Sequence, residues 1–178
     1  MTLAKVCILG EVSVGKTSLV RRFIDRTFSD TYLSTVGVNI SRKLLRLPSA
    51  SGLESVDLQL ILWDLQGGQN FKYISSSYLR GAMGAIVVGD LTRDTTLDAL
   101  EDHIEHFRGI NPAGIVVVAL NKSDLQRDSS EAMQSRWAHR EGIIAALYTS
   151  AKTGEGVDKL FDTLGNHFLL GMKNGPAH

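Results

Sequence analysis

The residues best suited to chemistry form one glycine-rich stretch near the N-terminus. Residues 10–17 read GEVSVGKT, which matches the pattern G-x-x-x-x-G-K-[ST] of phosphate-binding loops at every fixed position. Gly10 and Gly15 allow a tight turn whose backbone N–H groups converge on an anion, and Lys16 adds a positive charge. The Thr17 hydroxyl is a suitable ligand for Mg²⁺. The stretch therefore predicts a site for phosphate groups and a metal ion.

The segments on either side of this loop have the pattern that such a loop requires. Residues 3–9 form an apolar run typical of a buried strand, and residues 16–25 place apolar side chains at helical spacing. A helix that begins at the loop directs the positive end of its dipole toward the same anion. We expect the phosphates to contact the loop and the first helical turn, at Ser13, Val14, Gly15, Lys16, Thr17 and Ser18.

A second motif, WDLQG at residues 63–67, follows a later apolar run. Asp64 is placed to hold Mg²⁺, through water, on the side opposite Thr17. Gly67 has no side chain, so its backbone N–H can approach a γ-phosphate closely. By itself this segment could be an ordinary strand end followed by a glycine turn, but after a phosphate loop the metal-binding interpretation is favoured.

Two further motifs, NKSD at residues 121–124 and TSAK at residues 149–152, also follow predicted strands. The Asp124 carboxylate can accept hydrogen bonds from both N1–H and the exocyclic amine of guanine. Adenine offers no such donor pair, and an unpaired buried carboxylate costs about 1–3 kcal/mol or more. Asn121 can link neighbouring loops, the Lys122 stem can lie along the base, and the Ala151 N–H can donate to guanine O6.

Alternation of strand and helix patterns along the chain predicts an α/β fold. We expect a mostly parallel six-stranded sheet with one antiparallel edge strand and helices on both faces, the arrangement of P-loop NTPases. Expected strands cover residues 3–9, 37–47, 56–63, 83–89, 115–120 and 145–149, and expected helices cover residues 16–25, 94–108, 131–141 and 155–170. A long hairpin turn, residues 48–52, joins the second and third strands, and Thr95 is a candidate N-cap ahead of Asp98.

Length and composition fit one intracellular domain. The chain has 178 residues, a formal net charge of zero and one cysteine, Cys7, which we expect to pack in the core. No basic tail indicates nucleic-acid binding, and no apolar run has the length of a membrane span. We expect a catalytic domain over residues 1–171 and a disordered end over residues 172–178. That end has no cysteine for prenylation, which leaves three alternatives: the protein acts in the cytoplasm in solution, a partner anchors it to a membrane, or a lipidated tail is missing from this sequence.

The four motifs together resemble those of small GTPases of the Ras superfamily, most closely its Rab branch. The resemblance covers about residues 3–170. Residues 32–40 (YLSTVGVNI) resemble the first Rab switch region, and residues 78–82 (YLRGA) and 88–92 (VGDLT) resemble later Rab signatures. The family resemblance implies GTP or GDP and Mg²⁺ as ligands, GTP hydrolysis as the reaction, and a role in signal transduction or vesicle trafficking.

The resemblance also implies roles for individual residues. Thr35 would close on Mg²⁺ and the γ-phosphate with GTP and be released with GDP, and Phe28 would pack against guanine. The implied metal ligands are Thr17, Thr35 and Asp64. The implied nucleotide contacts outside the phosphate loop are Phe28, Thr35, Gly67, Asn121, Lys122, Asp124, Ser150, Ala151 and Lys152. The implied catalytic residues are Lys16, Thr35 and Gln69.

The chain departs from the family pattern where water must be oriented. The family has a glutamine directly after the glycine at position 67, whereas this chain has Gly68 and then Gln69. Val12 and Ser13 stand in the phosphate loop where smaller residues are common, so Val12 would crowd an attacking water or an incoming arginine. Gln69 or Gln66 would have to replace the missing glutamine. These departures predict slow hydrolysis.

Two functions from different classes remain open on sequence alone. One is a regulatory GTPase, which we expect to be a monomer that effector proteins bind through residues 27–40 and 64–80. An exchange factor and a GTPase-activating protein would act on it, and a partner would recruit it to membranes. The other is a GTP-binding interaction module with negligible turnover. A P-loop kinase or ATPase would leave residues 121–124 and 150–152 without a role.

Overall fold

A six-stranded sheet forms the centre of the computed structural model, which describes residues 2–29, 31, 35–48, 55–67, 76–125 and 131–174. Its strands are β1 (Thr2–Leu9), β2 (Val38–Pro48), β3 (Ser55–Leu65), β4 (Gly84–Asp90), β5 (Ile115–Asn121) and β6 (Ile143–Thr149). The spatial order is β2-β3-β1-β4-β5-β6. Only the β2–β3 pair is antiparallel among these strands, which confirms the predicted mixed sheet.

Helices cover both faces of this sheet. They are α1 (Lys16–Asp25), α2 (Ser76–Leu79), α3 (Asp94–Asp98), α4 (Leu100–Ile110), α5 (Glu131–Ala138) and α6 (Val157–Asn174), with a 3₁₀ turn at Ser123–Leu125. Helices α1 and α6 pack on one face, where the rings of Phe23 and Phe161 stack with centroids 3.8 Å apart. Side chains of α2, α4 and α5 pack on the other. Within the described residues, every helix is too short or too polar to cross a lipid bilayer.

The central strands are buried because both faces of the sheet are covered. Every residue of β4 is buried, as its continuous apolar sequence predicts. Cys7 lies in the core with a free thiol, and burial raises its pKa to about 12. The carboxyl ends of β1, β3, β4, β5 and β6 carry the sequence motifs, so the parallel arrangement brings those motifs to one edge of the sheet.

Several predicted boundaries were wrong. The helix expected over residues 94–108 is two helices that meet at Ala99, and Thr95 lies inside α3 rather than at its N-cap. The local side-chain hydrogen bonds come from Thr96 instead. Its hydroxyl accepts the Asp90 N–H at 2.9 Å. The same hydroxyl can donate to the carbonyl oxygen of Asp90 or of Arg93.

Other element ends differ by a few residues. Pro48 pairs with Ser55, so the hairpin strands extend into the segment predicted as a turn, and residues 49–54 lie outside the described part of the chain. Helix α5 ends at Ala138, before the predicted residue 141. Helix α6 begins at Val157 and reaches Asn174, so residues 172–174, assigned above to a disordered end, are helical. Residues 175–178 lie outside the described part.

Candidate nucleotide-binding site

The phosphate loop connects β1 to α1 in a conformation that needs glycine at both ends. At Gly10 the φ angle is +139°, and an added Cβ would lie 2.3 Å from the carbonyl oxygen of Val88 in the neighbouring strand β4. At Gly15 φ is +100°, and a Cβ would lie 2.3 Å from the side-chain nitrogen of Asn121. The loop is therefore enclosed by the ends of β4 and β5, and α1 begins directly after it at Lys16.

Lys16 lies across the loop rather than extending into solvent. Its Nζ donates hydrogen bonds to the carbonyl oxygens of Gly10 at 2.9 Å and Glu11 at 2.7 Å. Burial lowers the pKa of Lys16 to about 8, although the nearby carboxylates of Asp64 and Glu11 oppose this shift. A buried cation at the N-terminus of a helix is well placed to attract phosphate oxygens.

Oxygen atoms from three elements converge beside Lys16. The Thr17 hydroxyl on α1 donates to Asp64 Oδ2 near the end of β3 at 2.5 Å and lies 2.8 Å from the Thr35 hydroxyl. Asp64 therefore lies beside Thr17 rather than opposite it, because the end of β3 adjoins the first turn of α1. Asp64 is buried, and its Oδ1 has no hydrogen-bond partner among the described residues. Burial raises the pKa of Asp64, although the Thr17 hydroxyl and Lys16 oppose this.

This arrangement fits a divalent cation with oxygen ligands. Mg²⁺ prefers carboxylate, hydroxyl, water and phosphate oxygens, and the second Asp64 oxygen is a buried acceptor that a metal-bound water would satisfy. The described residues contain no cluster of three or more histidine, cysteine, aspartate or glutamate side chains that could hold a metal by itself. Phosphate and water oxygens are the usual further ligands of Mg²⁺ held by few protein groups.

Asn121 links the phosphate loop to the loop after β6. Its side-chain nitrogen donates to the Val14 carbonyl at 2.8 Å. Its side-chain oxygen accepts from the Thr149 hydroxyl at 3.2 Å and from the Ala151 N–H at 3.3 Å. The Ala151 N–H, predicted to donate to guanine O6, thus already has an acceptor in this structure, and its contact with a base stays a prediction.

The remaining base-recognition residues are held by side-chain contacts. Asp124 is exposed in the structure, rather than buried as the sequence reasoning assumed, because it lies in the surface turn after β5. The buried Ser150 hydroxyl donates to its Oδ1 at 2.6 Å, which orients that carboxylate. Lys122 has a left-handed backbone, φ +66°, and its Nζ donates to Asp90 Oδ2 at 2.6 Å. Its side chain consequently extends from the base motif toward β4.

A pocket of about 280 Å³ joins these groups. The predicted site residues that line it are Ser13, Gly15, Lys16, Thr17, Ser18, Phe28, Thr35, Gly67, Asn121, Lys122, Asp124, Ala151 and Lys152. Val14, Asp64 and Ser150 do not line it, but each is bonded to a residue that does. Gln69, the predicted catalytic glutamine, lies outside the described residues.

Sequence reasoning missed part of this lining. Arg21, Thr27, Ser29, Thr31 and Leu125 also face the pocket, and no motif marks them. A missed supporting contact comes from Arg22 on α1, whose guanidinium donates to the carbonyl oxygens of Ala151 at 2.7 Å and Lys152 at 2.5 Å. An arginine in the last turn of the helix after a phosphate loop was the available signal, but its partners lie about 130 residues away in sequence.

Comparison with known proteins agrees with this geometry. A sequence model described as the Ras family matches residues 5–169. Ras-related protein Rab-13 of Canis lupus familiaris is 32% identical over 181 residues, covering 99% of this chain and 86% of that protein. Rab-32 of Mus musculus is 31% identical, covering 98% and 79%. RabC of Dictyostelium discoideum is 32% identical, covering 97% and 87%. The chain therefore belongs to the Ras family and is a Rab-like small GTPase.

Proposed function

We propose that this protein is a molecular switch that binds GTP or GDP with Mg²⁺ in the described pocket and hydrolyses GTP slowly. One observation carries the proposal: a single pocket brings together a phosphate loop, an oxygen-rich cation site and an oriented carboxylate suited to guanine. Family membership supports guanine-nucleotide binding and GTPase activity. The slow rate and the individual residue roles are our proposals.

Asp124 selects the base in this proposal. Its carboxylate is fixed by Ser150, so one oxygen keeps a defined direction toward the pocket. Guanine N1–H and N2–H₂ both donate, whereas the corresponding edge of adenine has an acceptor at N1. Asp124 is exposed in the structure, so a bound base would have to cover it. Adenine would then leave the covered carboxylate unpaired, which favours guanine by on the order of a hundredfold.

Thr17, Thr35 and Asp64 are the proposed metal-binding residues. Bound Mg²⁺ would neutralise charge on the β- and γ-phosphates. Thr17 would contribute its hydroxyl in both nucleotide states, while Thr35 belongs to the first switch region and would contribute only with the γ-phosphate. The 2.8 Å separation of the two hydroxyls is compatible with a common cation.

Gln66 links the proposed switch regions rather than orienting water. Its backbone N–H donates to the Gly37 carbonyl at 2.9 Å, and its side-chain oxygen accepts the Gly37 N–H at 3.2 Å. A glutamine engaged in this way would have to break that bond to act on an attacking water. We therefore propose that neither Gln66 nor Gly68 orients water, and that Val12, 41% exposed beside the pocket, further restricts access.

The surfaces around residues 27–40 and 64–80 would change with the nucleotide, because a γ-phosphate and its cation hold such loops in GTPases. We propose that effectors read these surfaces and that an exchange factor and a GTPase-activating protein act on them. A partner that recruits the protein to a membrane is compatible with this proposal.

Identification of the nucleotide that copurifies with the protein tests the proposal directly. We expect guanine nucleotide at close to one equivalent, released by chelation of Mg²⁺ with EDTA. Competition against a fluorescent GDP analogue should show displacement by GDP and GTP but not by ATP at a hundredfold higher concentration. Equal displacement by ATP would contradict the base assignment. Guanine binding with no turnover over many hours would favour the alternative, a GTP-binding interaction module.

A further inference from the structure

A buried carboxylate outside the four nucleotide-binding motifs, within residues 88–92, connects the two halves of the pocket. Asp90 is the last residue of β4, is fully buried and lies beside Asn121 in the sheet. Its Oδ1 accepts hydrogen bonds from the Thr92 N–H at 2.9 Å and the Thr92 hydroxyl at 2.7 Å. Its Oδ2 accepts from Arg93 Nε at 3.0 Å and Lys122 Nζ at 2.6 Å.

These contacts keep Asp90 ionised. Burial opposes the charged form, but the hydrogen bonds from Lys122, Thr92 and Arg93 outweigh burial and hold the pKa of Asp90 below its usual range. A buried carboxylate with two cationic donors is strongly fixed in position, because its removal would leave both cations without their acceptor.

Arg93 extends the connection to the phosphate loop. While its Nε contacts Asp90, its Nη2 donates to the Val12 carbonyl oxygen at 2.7 Å. Val12 and Lys122 both line the nucleotide pocket, one at the phosphate end and the other at the base end. A continuous series of hydrogen bonds therefore connects Val12 to Lys122 through Arg93 and Asp90.

We propose that Arg93 and Asp90 are positioning residues that fix the phosphate loop relative to the base-recognition loop (residues 121–124), and that they thereby limit the rate of nucleotide release. This inference rests on the proposed function, because it assumes that the nucleotide occupies this pocket. Neither side chain lines the pocket, so each acts through Val12 or Lys122. A nucleotide can leave only when the phosphate and base contacts open, and the connection makes opening at one end disturb the other.

The guanidinium group is essential to this role. Arg93 makes the two contacts from two separate nitrogens, Nε to the Asp90 carboxylate and Nη2 to the Val12 carbonyl, which the planar fork of arginine provides. Lysine has a single nitrogen, which would have to reach both acceptors from one point. Arg93→Lys should therefore retain the positive charge but lose one of the two contacts. A role limited to charge would survive this substitution.

Release of fluorescent GDP from the Mg²⁺-loaded full-length protein, followed after addition of excess GDP, tests the inference. We expect Arg93→Ala to accelerate release about tenfold, and Arg93→Lys to remain closer to the alanine variant than to wild type. In an Asp90→Asn background, the further change Arg93→Ala should accelerate release less than it does in the wild-type background. Arg46→Ala is the matched control, since Arg46 pairs with Asp57 on the β2–β3 hairpin, and its release rate should be that of wild type.

The outcomes separate the two proposals. A wild-type protein that binds no guanine nucleotide would overturn the proposed function and this inference with it. Guanine-nucleotide binding with a wild-type release rate in Arg93→Ala would overturn the inference alone. A lower melting temperature in that variant with unchanged release would also overturn it, because it would assign Arg93 a purely structural role. Full rescue by Arg93→Lys would contradict the proposed two-ended contact.

Discussion

The base end of the pocket (residues 121–124 and 149–152) and its phosphate end (residues 10–17 and 64–68) differ in what holds their functional groups in position. At the base end, side chains hold one another: Ser150 fixes Asp124, and Asn121 bonds to two neighbouring loops. At the phosphate end, backbone geometry does most of the positioning, and Lys16 bonds to loop carbonyls. The sequence keeps the family pattern at the base end and departs from it at the phosphate end, at Val12 and Gly68.

This difference indicates that recognition and turnover are separable in this protein. In the proposed function, the base end selects the nucleotide through contacts that do not involve a γ-phosphate. The phosphate end must also arrange an attacking water, and there the departures remove a side chain and add bulk. We therefore expect changes at the base end to alter affinity and specificity, and changes at the phosphate end to alter the preference between GTP and GDP.

The largest expected effect is at the base end. Asp124→Asn should weaken GDP binding on the order of a hundredfold or more, because an amide cannot accept from both guanine donors. The same variant should gain affinity for xanthine nucleotides, whose C2 carbonyl accepts the amide N–H. Competition titrations with GDP, XDP and ADP measure both changes. Asp57→Asn, at the distant β2–β3 hairpin, is the control and should bind like wild type.

A smaller effect, and one that depends on the nucleotide, is expected for the cation site. Thr17→Ala removes the hydroxyl that contacts Asp64 and Thr35. Affinity for a nonhydrolysable GTP analogue should fall about tenfold or more, and affinity for GDP should fall less, since a cation held by Thr17 would have the charge of a γ-phosphate to neutralise only with the triphosphate. Titrations at saturating and at chelated Mg²⁺ test this. An equal loss for both nucleotides would argue against a shared cation site.

The backbone packing at the phosphate end predicts a steric effect at Gly67. An added Cβ would lie 2.4 Å from Lys16 Nζ and 2.6 Å from the Glu11 carbonyl oxygen, so the loop has to shift. Gly67→Ala should weaken binding of the GTP analogue several-fold, on the order of 1 kcal/mol, with less effect on GDP. Gly109→Ala on α4, where a Cβ has open space, is the control and should leave both affinities unchanged.

The smallest expected effect is a pH-dependent contribution to the stability of the protein from His103, which lies beside the phosphate loop. His103 on α4 is buried, and its Nε2 lies 3.2 Å from the Glu11 carboxylate. Burial lowers the pKa of His103 below its ordinary 6.5, although Glu11 opposes this shift. The unfolded chain then binds the proton first, so this histidine should reduce the free energy of unfolding as pH falls through 6.5.

Denaturant unfolding at pH 7.5 and pH 5.5 measures this contribution. Wild type should lose more stability over that interval than His103→Gln, whose side chain does not titrate. His139→Gln is the control, since His139 is exposed. The free energy of unfolding of this variant should fall by as much as that of wild type over the same pH interval. The same loss in His103→Gln as in wild type would show that other groups set the pH dependence.

The architecture was predictable because its signals are local. The apolar runs of β1, β4 and β5 and the helical spacing of residues 16–25 gave these elements within about a residue or two at either end. The motifs predicted most of the pocket lining, since parallel strands place their carboxyl ends at one edge.

The contacts that hold the motifs in place were not predictable, because they join residues far apart in sequence. Arg93 bonds to Val12 across 81 positions, and His103 contacts Glu11 across 92. Neither contact leaves a periodic pattern. The break at Ala99 was missed for a related reason: helical spacing continues through residues 94–108, so the sequence pattern gives no sign that two helices meet there.

Single-turnover hydrolysis of GTP by the Mg²⁺-loaded protein tests the separation of binding and turnover most directly. We predict a rate no faster than that of unassisted small GTPases, on the order of 10⁻⁴ s⁻¹ or below, despite tight binding. Gly68→Gln should raise the rate, more so with Val12→Gly, and Gln69→Ala should change it little. A fast wild-type rate that is abolished in Gln69→Ala would contradict this account, because it would show that Gln69 orients the water and that the phosphate end is competent for catalysis.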